Sequence, residues 1–260
     1  MLLTDGCVIK RNNRKSYFLV YYGKDAVLHR IFKFLVMSGF GGKPSCFLAH
    51  HKRAYRTVFE RGLNSKSTNT LFSLTPSFKT SPGQKNTVEY ATMQSPKIEF
   101  LSDESFGVKV LAFRLAMSAD GNVAIINAAG RRLKFRLRLG CAHPTLAKEW
   151  GALARELKIP MNLAKDKNTW SGIQGLNTDR KDGMLKFSDY GGFINGVKAH
   201  KSRRYRGFEK NAILFGIRDL ITGKSNHLKE AIEKYEAGSW GSLAYPTGLR
   251  SFFDGLPNGT

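Results

Sequence analysis

Two Asp-Gly dipeptides lie 115 residues apart, and each opens the same local pattern: Asp5-Gly6-Cys7-Val8 recurs as Asp120-Gly121-Asn122-Val123. A lysine follows each aspartate at one spacing, since Lys66 stands 61 residues after Asp5 and Lys181 stands 61 residues after Asp120. Asp-Gly is also a common turn dipeptide, present again at Asp182-Gly183 and Asp254-Gly255. Repetition in context, rather than the dipeptide itself, singles out the first pair. The other chemistry is cationic. In Arg131-Arg132-Leu133-Lys134-Phe135-Arg136-Leu137-Arg138-Leu139, period two puts Lys134, Arg136 and Arg138 on one strand face and apolar groups on the other. A strand with a basic group at every second position repels itself unless anions lie against it, which points to phosphate contact.

The elements that must position these residues come in two matching sets. In the first copy the strand equivalent to Arg131–Leu139 is Tyr17–Tyr22, with Lys10, Arg11, Arg14 and Lys15 in or near the preceding turn. Asn12-Asn13 and Gly130 read as hairpin turns. An amphipathic helix follows in each copy. Leu28, Ile31, Phe32 and Leu35 recur at helical spacing in one, with Asp25 as cap; Leu146, Trp150, Leu153 and Leu157 do so in the other, with Pro144 in its first turn. Strand-like runs then carry Lys52, Arg53, Arg56 and Arg61 in the first copy and Lys165, Lys167 and Gln174 in the second. A third helical segment holds Leu71, Phe72 and Leu74, or Met184, Leu185 and Phe187. The helix before Asp120 is expected to begin near Ser102, with Asp103 and Glu104 in its first turn and Val108, Leu111, Ala112 and Leu115 on its apolar face. Residues 80–97 read as the connection. Past Phe208 a helix with Leu228, Ile232 and Tyr235 stops at Gly238, its Glu230 and Lys234 paired. This organises the chain as 1–97, 98–215 and a C-terminal extension 216–260.

The bulk numbers agree with an anionic partner. The 260 residues carry 42 Lys and Arg against 20 Asp and Glu, a net charge of +22, which is the electrostatic footprint of a polyanion binder. No apolar run approaches the roughly 20 residues of a spanning helix, and MLLTDGCVIK is not a signal peptide. Cys7, Cys46 and Cys141 show neither a paired framework nor metal-ligand spacing, as expected of reduced thiols in a cytoplasmic protein. Arg and Lys side chains can reach guanine edges, and Gln174, Asn127 and Asn177 could read adenine, although amides serve turns and surfaces as often. His50-His51 has no third ligand at metal spacing, so a face toward DNA or solvent is favoured over zinc.

Leu115-Ala116-Met117-Ser118-Ala119-Asp120-Gly121 resembles the end of a LAGLIDADG helix, and Met1-Leu2-Leu3-Thr4-Asp5-Gly6 resembles a second, shortened one. Residues 192–211 resemble the close of such a domain. The resemblance, to the single-chain, two-motif LAGLIDADG homing endonucleases, covers about residues 1–215. It implies an α+β fold of two pseudo-symmetric αββαββα half-domains, each laying an antiparallel sheet into the major groove of double-stranded DNA, followed here by a helical extension. It implies that Asp5 and Asp120 hold Mg²⁺, with main-chain carbonyls of Thr4 and Ala119 as further ligands and Lys66 and Lys181 assisting. One metal-binding carboxylate per half matches the symmetry of a duplex whose two strands are both cut. A monomer is expected, in a cytoplasmic, nucleoid-associated setting.

Three departures from the family pattern bear on activity. Only four residues precede Asp5, Leu3 and Ser118 stand where another acid is common, and bulky Leu115 replaces a small contact residue. A non-catalytic relative, either a DNA-binding regulator or a maturase on intron RNA, needs the basic sheets but neither aspartate. A ribosome- or tRNA-associated basic protein would explain the charge but not the repeat.

Overall fold

The computed structural model describes residues 1–4, 6–10, 17–42, 44–49, 54–59, 66, 70–71, 96–127, 133–200 and 205–237. In chain order these form β1 (Gly6–Lys10), β2 (Tyr17–Gly23), α1 (Ala26–Phe40), β3 (Pro44–Ala49) and β4 (Ala54–Phe59). A 3₁₀ turn over Glu99–Leu101 precedes α2 (Phe106–Asp120), β5 (Gly121–Asn127), β6 (Leu133–Gly140), α3 (Pro144–Glu156), β7 (Asn162–Lys165), β8 (Ile173–Thr178) and α4 (Lys181–Asp189). Then come α5 (Lys210–Ile221) and α6 (Leu228–Glu236). Lys66, Thr70 and Leu71 are helical at the place matching the start of α4. The protein is therefore α+β, and residues 106–189 run in the order αββαββα.

Each half builds one four-stranded antiparallel sheet, ordered β1-β2-β4-β3 and β5-β6-β8-β7. The alternation expected of the basic strand is present: Phe135, Leu137 and Leu139 are buried while Lys134 is exposed and Arg136 and Arg138 are half-buried. The apolar faces pack on their helices. Val8, Leu19, Tyr21, Leu28, Ile31, Phe32 and Phe59 form the first core; the second is larger and includes Phe113, Met117, Leu137, Trp150, Leu176, Phe187 and Phe215. Pro144 begins α3 as expected, where its missing N–H costs nothing. Val8, Leu19 and Leu137 are below 1% exposed; burying each such side chain contributes about 1.5–3 kcal/mol.

Several local expectations are corrected. Helix α2 starts at Phe106, not near Ser102, because the Ser105 hydroxyl accepts from the Val108 N–H and fixes the cap there. Asp103 and Glu104 thus lie ahead of the helix. Its buried side carries Val110, Phe113, Leu115, Ala116 and Met117, and Val108 is 41% exposed. Asp25 does sit at the N-cap of α1, but its side chain makes no cap bond. It accepts instead from the Lys198 N–H at 2.9 Å and pairs with His200 Nε2 at 3.0 Å. On α6 the ion pair formed is Lys229–Glu233, at 3.7 Å, whereas Lys234 lies over the Tyr235 ring. Helix α5 runs unbroken across the boundary drawn at 215/216. The connection 80–95 and the residues beyond 237 lie outside the described residues.

The halves meet along α2 and the segment after α4. Ile194 and Val197 are buried in the first core, and Leu115 joins them from α2. Gly196 has φ 80° and lies against Val27, so that a Cβ would come within 2.8 Å of the valine methyl. The Ser118 hydroxyl donates to the Arg114 carbonyl and accepts from the Ile194 N–H at 2.7 Å. Arg114 is fully buried; its Nε donates to Gly192 O at 2.8 Å and its Nη2 to Gly191 O and Phe193 O at 3.1 Å. No helix among the described residues is long and apolar enough to cross a membrane.

Beneath the first sheet, His29 Nε2 faces the Gly23 carbonyl at 3.1 Å and Nδ1 faces the Thr57 hydroxyl at 2.7 Å. The carbonyl can only accept, so Nε2 carries the proton and neutral Nδ1 accepts from Thr57. Burial lowers the His29 pKa, and the Gly23 bond opposes it only partly; burial lowers that of His143 as well. As pH falls below the ordinary histidine value of about 6.5, the unfolded chain takes up protons that the folded chain does not, so stability falls. The melting temperature should therefore drop between about pH 7.5 and about pH 5, and His29→Gln, though less stable at neutrality, should lose less over that interval. An unchanged slope in the variant refutes this assignment.

Candidate metal centre and nucleic-acid interface

The Asp120-Gly121 step converts helix into strand with no intervening loop: α2 ends at Asp120 and β5 begins at Gly121. Gly121 has an extended backbone (φ −89°), so conformation alone does not demand glycine. Space does. A Cβ at 121 would collide with the Met117 carbonyl and lie 2.8 Å from Met117 Cα. Gly6 meets the matching residue four back, its Cβ 2.8 Å from Leu2 Cα, and also Met1 O at 3.1 Å. Residues 1–4 form a turn, with Thr4 N–H and hydroxyl both donating to Met1 O. Gly121 thus lets a strand leave a helix, and Gly6 lets one follow a turn, at close approach. Asp182-Gly183, by contrast, lies inside α4.

These two turns lie at the boundary between the halves. Leu3 packs against the second core, while Met1, Leu2 and Ala119 pack against the first. The Asp5 side chain lies outside the described residues. Asp120 is exposed at the end of α2. Beneath it lies Gly140, whose Cβ would be 3.2 Å from Asp120 O and 4.0 Å from Asp120 Cβ. Gly140 pairs with Gly175 across the sheet, leaving a floor without side chains. Cys141 borders this place; burial pushes its thiol up to about 11, and the Asp120 carboxylate adds to the rise.

Asp120 and main-chain carbonyls are hard oxygen donors, the class that suits Mg²⁺, which keeps several waters and takes few protein ligands alongside phosphate oxygens. Among the described residues no group of three or more His, Cys, Asp or Glu could cage a metal. The donors at Asp120 would suit a hydrated cation held by few protein ligands. Lys181 is exposed at the first residue of α4, and Lys66 is exposed in the matching helical place. Ser118, where an acid was looked for, is fully buried and committed to the backbone of Arg114 and Ile194.

The outer face of the second sheet is polar in register. Asn122 pairs with Arg138, Arg138 with Asn177, and Asn177 with Asn162. Directly opposed residues share a face, so these four form one row across all four strands, adjoining the Gly140–Gly175 floor. Burial lowers the pKa of Arg138, with Asp166 opposing and Arg136 adding. Arg136 is held bidentate by Asp179 at 2.6 and 2.7 Å, and this bond draws the Asp179 carboxyl below its usual range. Gln174 donates to Asp166 at 3.0 Å. Lys134, Lys165 and Lys167 are exposed. In the first sheet the matching row is Cys7, Val20, Val58 and Ser45, and Val20 and Val58 are buried. Arg56 lies beside it, its guanidinium 5.6 Å from the Tyr22 ring centre. Lys10 closes β1, and its side chain is not among those described. Arg11, Arg14, Lys15, His50, His51, Lys52, Arg53, Arg61, Arg131 and Arg132 lie outside the described residues, as does the Asn127 side chain.

Sequence reasoning missed Asn122 and Asn162, because their row exists only once the strands are paired. It also missed Arg114 and Lys210. A signal for Arg114 was present: it is a lone charge in the apolar run of α2.

Solved structures are similar to this chain. The meganuclease I-SmaMI, bound to uncleavable DNA, matches over 100% of this chain and 96% of its own, at 14% identity and a TM-score of 0.50. The LAGLIDADG meganuclease I-AabMI, bound to uncleaved DNA, matches over 99% and 97%, at 11% identity and a TM-score of 0.47. Variants of the homing endonuclease I-DmoI match over 76% and 91%, at 13% and 0.49. No protein-family model and no curated protein sequence matches. At these identities the likeness is one of fold. The chain has the two-domain LAGLIDADG meganuclease fold, as the resemblance in sequence implied.

The collision at Gly121 gives a direct test. Gly121→Ala should destabilise the protein by about 1–3 kcal/mol, the ordinary cost of forcing a group into filled space, as measured by urea unfolding. An unchanged midpoint would refute the close approach.

Proposed function

We propose that this protein binds double-stranded DNA through its paired sheets and cleaves it with Mg²⁺ near the two Asp-Gly turns. One observation carries the reading: the turn over residues 1–4 that leads into β1 and the end of α2 that bears Asp120 both pack at the boundary between two sheets of matching topology. A twofold arrangement of this kind suits an approach to both strands of a duplex, and the excess of 22 positive charges supplies affinity for its phosphates. I-SmaMI and I-AabMI, which share the fold, are described bound to DNA.

In this reading Asp5 and Asp120, with the Thr4 and Ala119 carbonyls, would hold the metal. Bound there, Mg²⁺ supplies Lewis acidity and lowers the pKa of water. The protein's own part is to place charge and exclude alternatives. Asp120 is presented on a backbone fixed between α2 and β5. Lys66 and Lys181 sit at matching helical positions and would stabilise negative charge developing on phosphate. Arg138, Arg136, Lys134, Lys165 and Lys167, with Lys10, Arg11, Arg14, Lys15, Lys52, Arg53, Arg56, Arg61, Arg131 and Arg132, would contact backbone and bases. Gln174, already oriented by Asp166, is placed to present an amide. The protein acts as a monomer with residues 1–97 and 98–215 as its halves, in a nucleoid setting.

The test is selection of bound duplexes from a randomised pool, followed by incubation of the selected DNA with Mg²⁺. The parent should cut both strands and Asp120→Asn should not, while binding persists. Cutting that survives Asp120→Asn overturns the catalytic assignment; binding without cutting by the parent indicates a DNA-binding regulator. Preference for intron RNA over duplex at equal salt would indicate a maturase. On the same DNA, Arg138→Ala should lower the slope of log affinity against log salt by about one, if it contacts phosphate, or relax one base position, if it reads a base. No change in either would remove Arg138 from the interface.

A further inference from the structure

We propose that Lys210 is a positioning residue for the Asp120 carboxylate, delivered from helix α5, which follows the αββαββα run. This rests on the reading of Asp120 as a metal ligand. Lys210 opens α5 and is only 6% exposed. Its Nζ donates to Ser118 O at 2.7 Å and to Gly121 O at 2.8 Å. Those carbonyls bracket Ala119 and Asp120, so a single ammonium ties the last turn of α2 to the first residue of β5.

Three physical facts make this more than packing. First, the carbonyls of a helix's last turn lack intrahelical partners, and the abrupt exit at Gly121 leaves no following turn to supply them. Second, the C-terminal end of a helix carries partial negative charge, so an ionised aspartate there is disfavoured and a cation is favoured. The buried ammonium offsets the dipole at the turn that carries the carboxylate. Third, lysines ordinarily lead their charge out to solvent, yet this one is enclosed, with the Phe193 ring centre 5.5 Å away. If the slot needed only filling, an apolar side chain would do so without the cost of desolvating a charge.

The rest of α5 holds the lysine in place. The Lys210 N–H donates to Val197 O at 2.9 Å. Asn211 beside it donates to Phe193 O at 2.8 Å and accepts from the Phe193 N–H at 2.8 Å. Helix α6 then locks α5 from behind, so closely that a Cβ on Gly216 would lie 2.9 Å from the Ile232 backbone nitrogen. The C-terminal helix pair thus has a task at the site: it anchors the turn that presents Asp120.

The experiment titrates Mn²⁺ into the full chain, reading free Mn²⁺ by electron paramagnetic resonance, with melting temperature recorded for every variant. Lys210→Met should weaken Mn²⁺ binding by about tenfold or more, as loss of outer supports of a metal ligand does. Tyr235→Phe removes the 2.7 Å bond to Asp219 that braces α5 on α6 and leaves the Asp120 turn intact. It should lower the melting temperature and keep the parental Mn²⁺ affinity. If Lys210→Met does not fold, Lys210→Gln is judged by the same criterion. Parental affinity in the Lys210 variant, alongside loss in Asp120→Asn, overturns the positioning role alone. Equal loss in Tyr235→Phe overturns it as well, by showing a general effect of stability. Parental affinity in Asp120→Asn, or a parent that binds no Mn²⁺, overturns the metal reading and this role with it.

Discussion

The closeness with which strand β5 leaves helix α2 is the constraint on which the architecture depends. Because Gly121 has no side chain, the backbone passes within contact of the Met117 carbonyl and the carboxylate of Asp120 stays at the junction of helix and sheet. A loop at this point would let the sheet tilt away from the helix and would carry the aspartate off the boundary between the halves. Gly6 makes a similar close approach to Leu2 and Met1 in the first half. The orientation of the second sheet relative to Asp120 is therefore settled within a few residues, and the larger cores serve to hold that orientation.

Two buried cations show how the interior supports the junction. Arg114 and Lys210 are both enclosed, and both spend their donors on main-chain carbonyls. Desolvating a charge is costly unless hydrogen bonds replace water, and converging carbonyl dipoles supply that replacement. Arg114 gathers Gly191, Gly192 and Phe193, where the left-handed glycines (φ 85° and 61°) turn the chain so that three carbonyls face one guanidinium. That gathered segment continues into Ile194 and Val197, which are buried in the other half's core. A single arginine on the central helix thereby organises the strap between the halves.

Much of this was legible in sequence. The 115-residue offset located both junctions, the period-two basic strand located β6, and Pro144 located the start of α3. These features are written in local spacing, which is what a chain exposes without coordinates. What was missed depends on partners far apart in sequence. Arg114 meets Gly192 across 78 residues, Lys210 meets Ser118 across 92, and Asp25 meets Lys198 across 173. Asp25 was read as a helix cap because its position fits one; only the fold shows its carboxylate turned to the other half. Ser118 looked like a lost acid, and its burial gives it a different task.

The two equivalent rows beside the junctions have diverged in kind. Asn122, Arg138, Asn177 and Asn162 on one sheet stand against Cys7, Val20, Val58 and Ser45 on the other. Duplication made the frame, but the faces no longer match. Turned end for end, the protein would present amides and a guanidinium on one sheet where the other presents a thiol and a serine hydroxyl beside two enclosed valines. The two faces are therefore not interchangeable.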